Sequence, residues 1–328
     1  MKKLSKIFIP LVLAILFAIP PYLSNYKNNA LDGLLFDLAA SVRALFVDGQ
    51  KPYDVAVIGV DEASLMNSDI DIAGHKLSDL PRVFMQPVWA ELIERLLEDK
   101  AVGARRIGFD FFFVWNPNRF LKDDSFEEGF RRAVLQYRGT DKVILGRGKQ
   151  QMADPYEDVL EDNIGGTALN KDGDGIARRS GSQIRVEVGD PPLQSFSALL
   201  SGQCSQTSEG KCTNIPDEFL LLPDAALKQI PAFRLMDVLG CLETPRGRDH
   251  LKTQFKNKII LVGSTFPGED QHRAPDRFMK EATFRAPNVD GCDFKSPLPP
   301  SDNSMPGVFL LASAVQGILN NRMPVQAP

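Results

Sequence analysis

Small polar side chains lie at or near the carboxyl ends of three apolar stretches of this chain. Each stretch is typical of a buried strand. The carboxyl ends of parallel strands meet at one edge of a sheet, where open α/β sheets bind ligands. We therefore expect the polar side chains to form a ligand-binding site. Capping and turn formation are the alternative role for such side chains, and the sequence leaves it open. The residues concerned are Asp61, Asp110, Ser264 and Thr265.

Other chemistries fit the sequence less well. Residues Gly263 to Gly268 do not match the G-x-S-x-G pattern of a nucleophile elbow. Asp172 and Asp174 resemble the start of a calcium loop, but the twelfth position holds Gln183 instead of a carboxylate, which favours a tight turn. The sequence contains neither a phosphate loop nor a dinucleotide fingerprint. We predict a binding protein and not an enzyme, and we expect no cofactor and no metal.

The elements that position the four residues alternate between strands and helices. Buried strands are predicted at residues 54–60, 106–114 and 258–263. Amphipathic helices are predicted at 83–100 and 125–138. Alternation of this kind builds parallel strands joined by right-handed crossovers. The predicted fold is therefore α/β, with a mixed, mostly parallel central sheet flanked by helices.

Shorter elements are predicted in the middle of the chain and at its end. Strands near 164–168 and 183–188 flank a glycine turn and are expected to pair antiparallel. A helix begun by Pro306 and Gly307 is expected to close the chain. The other elements predicted are a strand at 142–146 and helices near 193–200, 232–239 and 248–256.

The chain begins with a pattern typical of a membrane anchor. Lys2, Lys3 and Lys6 precede an uncharged apolar run, Ile7–Leu23. This run lies at the short end of what crosses about 30 Å of hydrocarbon. A cleaved signal peptide is the alternative, but no small-x-small cleavage site follows the run. We favour an uncleaved single-pass anchor in the inner membrane, with the bulk of the chain in the periplasm.

An amphipathic helix is predicted to follow this anchor as a stalk, at Leu31–Phe46. The predicted organisation is a cytoplasmic tip and anchor at residues 1–25, one extracytoplasmic domain at 26–323 and a tail at 324–328. The hydrophobic content of 43% is ordinary for a globular body of this size. The net charge of −4 offers no basic surface, so nucleic acid is not expected as a partner.

The four cysteines all lie in the second half of the chain. Their even number suits an oxidising compartment, and none forms a C-x-x-C pair of the kind that zinc sites use. We predict two disulfides, which close one short loop and tie one long irregular loop to the body. The predicted pairs are Cys204 with Cys212 and Cys241 with Cys292.

Motifs in a fixed order give the chain a family resemblance. They are VIGVDEASL from Val57, GARRIGFDFFF from Gly103, KDGDGIARR from Lys171, PAFRLMDVL from Pro231, NKIILVGST from Asn257 and MPGV from Met305. Over roughly residues 32 to 323 the chain resembles the second type of CHASE domain, an extracellular sensing domain associated with cyclases and histidine kinases. The resemblance implies signal reception outside the cytoplasm.

The expected function is therefore that of a membrane-tethered, extracytoplasmic sensor domain that binds an unidentified small ligand. No output domain follows in the sequence, so a signalling partner in the membrane, or a homodimer through the stalk, is expected to pass the signal on. The alternative is an assembly module of the cell envelope that docks on another protein without a small ligand. A ligand that binds the native state raises the melting temperature, which distinguishes the two.

Overall fold

The computed structural model describes residues 53–62, 64, 70–72, 74–80, 85–98, 102–117, 123, 125–148, 152, 156, 163–172, 175–185, 192–204, 212–221, 230–266, 269–273, 304–323 and 325. The membrane anchor predicted at Ile7–Leu23 and the stalk predicted at Leu31–Phe46 lie outside these residues. Within the described ranges, none of the helices combines the length and the apolar character that a bilayer crossing requires.

The strands, in chain order, are β1 (Val55–Val60), β2 (Asp71–Ile72), β3 (His75–Lys76), β4 (Arg106–Asp110), β5 (Val143–Arg147), β6 (Ile164–Gly166), β7 (Asn170–Lys171), β8 (Ala177–Ser180), β9 (Gln183–Ile184), β10 (Leu193–Gln194), β11 (Phe219–Leu220), β12 (Ala232–Arg234), β13 (Ile259–Ser264), β14 (Gln271–Arg273) and β15 (Ser304–Pro306). The α-helices are α1 (Gln86–Leu97), α2 (Glu128–Gln136), α3 (Phe196–Ser201), α4 (Leu235–Glu243), α5 (Pro245–Phe255) and α6 (Gly307–Leu319).

A six-stranded sheet forms the centre of the fold, in the order β12-β1-β13-β4-β5-β6. All of its pairings are parallel. Helices cover both faces, and parallel strands buried on two sides need the unbroken apolar runs that β1 and β13 carry. The late strand β13 is inserted between β1 and β4, so neighbouring strands at the centre of the sheet are far apart in the chain.

Two hydrophobic clusters divide the core at the sheet. The first face is the side on which Ile58, Phe109 and Val262 pack beneath α1, α2, α4 and α5. The second face is the side on which Val57 and Leu261 pack beneath α3 and α6. Strand residues alternate between the clusters, as the period of two requires.

Local sequence signals begin and end several helices. Ser195 Oγ accepts a hydrogen bond from the N–H of Ala198 at the start of α3 (3.1 Å), and Gly202 ends that helix with a φ of 64°. Thr244 Oγ1 accepts from the N–H of Gly247 (3.0 Å), with Pro245 at the first position of α5. These contacts satisfy backbone groups that the helix ends leave without partners.

Several sequence predictions need correction. The central sheet is wholly parallel instead of mixed, because the antiparallel pairs lie in separate small sheets. β6 pairs in parallel with β5, and β9 pairs with β10, so the antiparallel pairing expected between residues 164–168 and 183–188 does not form. Gly165 leaves room for Phe196 of α3, with which a Cβ at this position would collide. Residues 232–234 form the edge strand β12, and the helix predicted there begins at Leu235.

The KDGDGIARR motif forms a turn between β7 and β8. The N–H of Gly175, whose φ is 80°, donates to the carbonyl of Asp172 (2.8 Å). The Asp172 carboxylate binds Arg178 at 3.0 Å and Arg179 at 2.7 Å. Because two guanidinium groups occupy this carboxylate, the turn interpretation fits better than a calcium loop. Among the described residues, no group of three or more His, Cys, Asp or Glu side chains is arranged to hold a metal ion.

The predicted short disulfide is present, between Cys204 and Cys212. It closes the chain between α3 and β11, where Cys212 is buried in the cluster of the second face. Cys241 is also disulfide-bonded. Its predicted partner, Cys292, lies outside the described residues.

Candidate functional site

Three of the four predicted site residues lie on the second face, at the carboxyl edge of the sheet. Gly263 pairs in register with Asp110. A Cβ on Gly263 would meet Val308 of α6, so Asp110 lies on the α6 side of the sheet. Asp61 and Thr265 follow Val60 and Ser264, which are register partners, and the alternation of their strands places both on this side as well.

Ser264 lies on the opposite side of the sheet. Its register partner Val60 and its neighbours Val262 and Phe266 belong to the cluster of the first face. The hydroxyl of Ser264 donates to Glu269 Oε2 at 2.8 Å. The structure therefore does not bring Ser264 and Thr265 together, because consecutive residues of a strand point to opposite faces.

Asp61 is buried and has partners for both carboxylate oxygens. Oδ1 accepts hydrogen bonds from the N–H of Ser64 at 2.8 Å and from its hydroxyl at 2.5 Å. Oδ2 forms an ion pair with Arg234 Nε at 2.8 Å. This pattern is the turn-forming role that the sequence left open, and Asp61 acts as a fixed wall of the site.

Asp110 has a different environment. Its Oδ2 atom is buried and has no hydrogen-bond partner among the described residues. Burial raises the pKa of the Asp110 carboxyl well above its usual range, and repulsion from Asp270 raises it further. Gly108, two residues earlier on β4, lies beneath Phe196 and Leu200 of α3. Asp110 therefore lies between the regions that α3 and α6 cover.

Thr265 is 1% exposed, and its N–H donates to the carbonyl of Val60 at 2.9 Å. Its hydroxyl Oγ1 has no partner among the described residues. Neighbouring strands lie about 4.8 Å apart, so Thr265 is next to Asp61 and diagonal to Asp110. A buried hydroxyl and a buried carboxylate oxygen thus lie on the same face of neighbouring strands, each without a hydrogen-bond partner among the described residues.

The segment after β13 adds residues that sequence reasoning missed. The backbone carbonyl of Asp270 accepts a hydrogen bond from Gly307, the first residue of α6, at 2.9 Å. The Asp270 carboxylate lies directly over Gly307, where a Cβ would collide with it. His272 Nε2 lies 2.9 Å from Asp270 Oδ1. The positive end of the helix dipole favours a carboxylate here. The signal in the sequence was weak, since these residues follow a Pro-Gly loop without periodicity.

The aromatic run after β4 was also missed as part of the site. Phe109, Phe111 and Phe113 pack in the cluster of the first face, so alternation directs Phe112 to the second. Phe112 is 54% exposed and Trp115 is 52% exposed. Large exposed aromatic side chains beside a polar site commonly contact ligands or partners. The alternation within FFF could have revealed the exposed member.

We expect Gly263→Ala to disturb the site through α6. The added Cβ would lie 2.6 Å from the Cβ of Val308, so the first turn of α6 must shift. Overpacking of this kind costs about 1–3 kcal/mol of unfolding free energy, measurable by urea denaturation. Adding Val308→Ala makes room and should recover part of the loss. Simple additivity of the two changes would contradict the proposed contact.

Comparison with known proteins identifies the family. A search of curated proteins and a search of solved structures each gave no match. A family model described as the CHASE2 domain matches residues 10–328. The match covers nearly the whole chain and agrees with the order of motifs from Val57 to Met305. The chain therefore belongs to the CHASE2 domain family, a family of extracellular sensory domains.

Proposed function

We propose that this chain is the extracytoplasmic sensor domain of a bacterial signalling receptor and that it binds a small polar ligand at the carboxyl edge of its sheet. The binding site is the group Asp61, Asp110, Thr265 and Phe112 on the second face, which we call the edge site. The observation that carries the proposal is that Asp110 Oδ2 and Thr265 Oγ1 are buried there and have no hydrogen-bond partner in the described part of the chain. Buried polar groups without hydrogen bonds are costly, so they are usually kept where a ligand or a water satisfies them.

The proposal assigns binding and not catalysis to the edge site. A nucleophilic hydroxyl needs a base hydrogen-bonded to it. Among the described residues, the Thr265 hydroxyl has no such partner. We further propose that Ile7–Leu23 tethers the domain to the inner membrane and that a signalling partner, or a second copy of the chain, receives the signal. The match to a family of sensory domains supports signal reception as the role.

Asp110→Asn tests the proposal directly. The substitution keeps the shape of the side chain and removes its charge. A hydrogen bond to a charged group contributes about 1.5–3 kcal/mol to binding, so a ligand of the edge site should bind at least about tenfold more weakly. The measurement is the melting temperature of the full chain, purified in a neutral detergent, with and without a panel of periplasmic metabolites.

Although Asp110→Asn should weaken ligand binding, it should not lower the stability of the ligand-free protein. Because the folded pKa of Asp110 is raised, the group stabilises the fold below the unfolded carboxyl pKa of about 4, and this contribution is lost as the pH rises through the folded value. At neutral pH, Asp110→Asn is therefore expected to be at least as stable as the unmodified protein without ligand. The stability of the unmodified protein relative to the variant should improve as the pH falls.

The matched control is Glu94→Gln, which removes a carboxylate from the exposed side of α1. It should leave both the stability and every ligand-induced shift unchanged. Equal ligand-induced shifts in Asp110→Asn and in the unmodified protein would contradict the edge site. If no compound raises the melting temperature, while the chain is recovered in a stable complex with an envelope protein, the assembly function replaces the sensor function.

A further inference from the structure

The carboxylates around the edge site are not equally balanced by cations. Asp61 forms its ion pair with Arg234, and Asp270 has His272 within 2.9 Å. Asp110 has no ion pair among the described residues, and the charge that acts on it is that of another carboxylate, Asp270, which raises its pKa by repulsion. Among the described residues, none therefore provides a positive charge to Asp110.

The neighbouring strand does not supply that charge. Arg147 ends β5, which pairs with β4. Leu145, two residues before it, packs in the cluster of the first face. Alternation places Arg147 on that same face, whereas Asp110 lies on the second. Among the described residues of β5, none therefore balances the charge of an ionised Asp110.

The geometry disfavours an anion as the bound group. The start of a helix attracts anions, and α6 begins at this edge. Its first residue, Gly307, is already covered by the Asp270 carboxylate. A second anion would meet both Asp270 and Asp110 at close range, where like charges repel in a poorly solvated site. The described residues also do not form a group suited to a metal ion.

The remaining surface of the site suits an organic cation. Asp110 Oδ2 and Thr265 Oγ1 are buried oxygens that can accept hydrogen bonds, and Thr265 is 1% exposed. Phe112 presents a large aromatic surface on the same face, two residues beyond Asp110. Aromatic faces attract ammonium groups within about 6 Å, and a neighbouring carboxylate adds a direct charge contact.

We infer that the ligand of the edge site is an organic ammonium ion, held through its charged nitrogen by Asp110 and Thr265 and through its apolar substituents by Phe112. This inference rests on the proposed function and names the chemical class of the ligand. Asp61 and Arg234 form the neutral, fixed wall on one side. Asp270 and His272 form the wall at the start of α6.

Binding of such an ion is coupled to the proton on Asp110. An ammonium ion favours the ionised carboxylate, so binding releases the proton when the pH lies below the raised pKa of Asp110. A quaternary ammonium keeps its own charge at every pH. Its affinity should therefore rise with pH and become constant above the pKa of Asp110, and this dependence should be absent in Asp110→Asn.

The experiment uses choline, tetramethylammonium and phenethylammonium as probes, with the full chain in a neutral detergent. The neutral carbon isostere of choline and sodium chloride at equal ionic strength are the ligand controls. We expect the ammonium ions to raise the melting temperature at millimolar concentration and the controls to have no effect. Asp110→Asn should weaken the binding of all three ions at least tenfold, and Phe112→Ala about fivefold. Thr265→Val should weaken the binding of phenethylammonium about fivefold, because only this ion has N–H groups on its charged nitrogen that can donate to the hydroxyl.

The binding losses expected for these variants do not come from loss of the fold. Thr265→Val keeps the shape of the side chain and removes a hydroxyl to which no described residue is hydrogen-bonded, so the fold should be preserved. Phe112 is more exposed than buried, and Glu94→Gln is again the control with unchanged binding.

The outcomes distinguish failure of the ammonium inference from failure of the proposed binding site. Equal binding of choline and its neutral isostere would overturn the ammonium inference. The ammonium inference would also be overturned if the only compounds whose binding depends on Asp110 were neutral or anionic. The proposed sensor site would stand in that case. If no compound of any charge binds in a manner that depends on Asp110, both the inference and the proposed site fail.

Discussion

Replacing Phe130 by alanine is expected to lower the free energy of unfolding by about 3–5 kcal/mol. Phe130 is fully buried in α2. Its ring contacts three aromatic rings, with centroid distances of 6.1 Å to Phe109, 5.3 Å to Phe113 and 5.8 Å to Tyr156. Truncation removes these contacts and leaves a cavity that the rigid sheet cannot fill. Urea denaturation gives the change directly.

The same substitution should also weaken ligand binding. Phe113 stacks on Phe130 at an interplanar angle of 17°, and this contact holds the segment that carries Phe112. The matched control on α2 is Leu135→Ala, because Leu135 is 38% exposed and its loss should change stability by about 0.5 kcal/mol or less. Equal losses for the two variants would show that the aromatic cluster does not carry this part of the fold.

Replacing Asp172 by alanine is expected to cost a comparable amount, about 3–5 kcal/mol. Arg178 is 2% exposed, and Asp172 binds both this guanidinium group and that of Arg179. Without the carboxylate, a charge remains buried with less compensation than before. Removing one partner of a buried ion pair is far more destabilising than the modest net value of the pair suggests.

Glu218→Ala is the control for this prediction. Glu218 also pairs with Arg179, at 3.0 Å, but its side chain is 48% exposed. An exposed ion pair contributes about 1 kcal/mol or less. Asp172→Ala should therefore lower the free energy of unfolding several times more than Glu218→Ala. Adding Arg178→Met to Asp172→Ala should recover much of the loss. A variant Asp172→Ala that is no less stable than Glu218→Ala would rule out a structural role for the buried pair.

The parts of the fold that were predictable are those with strong periodicity or complete burial. β1 and β13 carry unbroken apolar runs, and α6 carries an apolar helical pattern begun by Pro306 and Gly307. The predicted start of that helix is confirmed. β12 was missed because its three residues adjoin a helix with a stronger pattern, and three residues are too few to show a period of their own.

The sequence predicts where along the strands the site residues lie, but it does not predict which face of the sheet each side chain occupies. Thr265 and Ser264 are consecutive, and only the register with β1 shows which one shares a face with Asp110. Asp270 could not be placed, since contact with the start of α6 depends on the path of a loop. Irregular segments lack the periodic constraint that makes strands and helices readable from sequence.

α6 connects the edge site mechanically to the place where the N-terminal part of the chain joins the sheet. It starts at Gly307 beneath Asp270. Near its other end, Gln316 Oε1 accepts a hydrogen bond from the backbone N–H of Asp54, 3.2 Å away, one residue before β1. Thirteen helical residues without an internal proline form a stiff rod about 20 Å long. One stiff element therefore spans the distance from Asp270, at the start of α6, to Asp54, near its end.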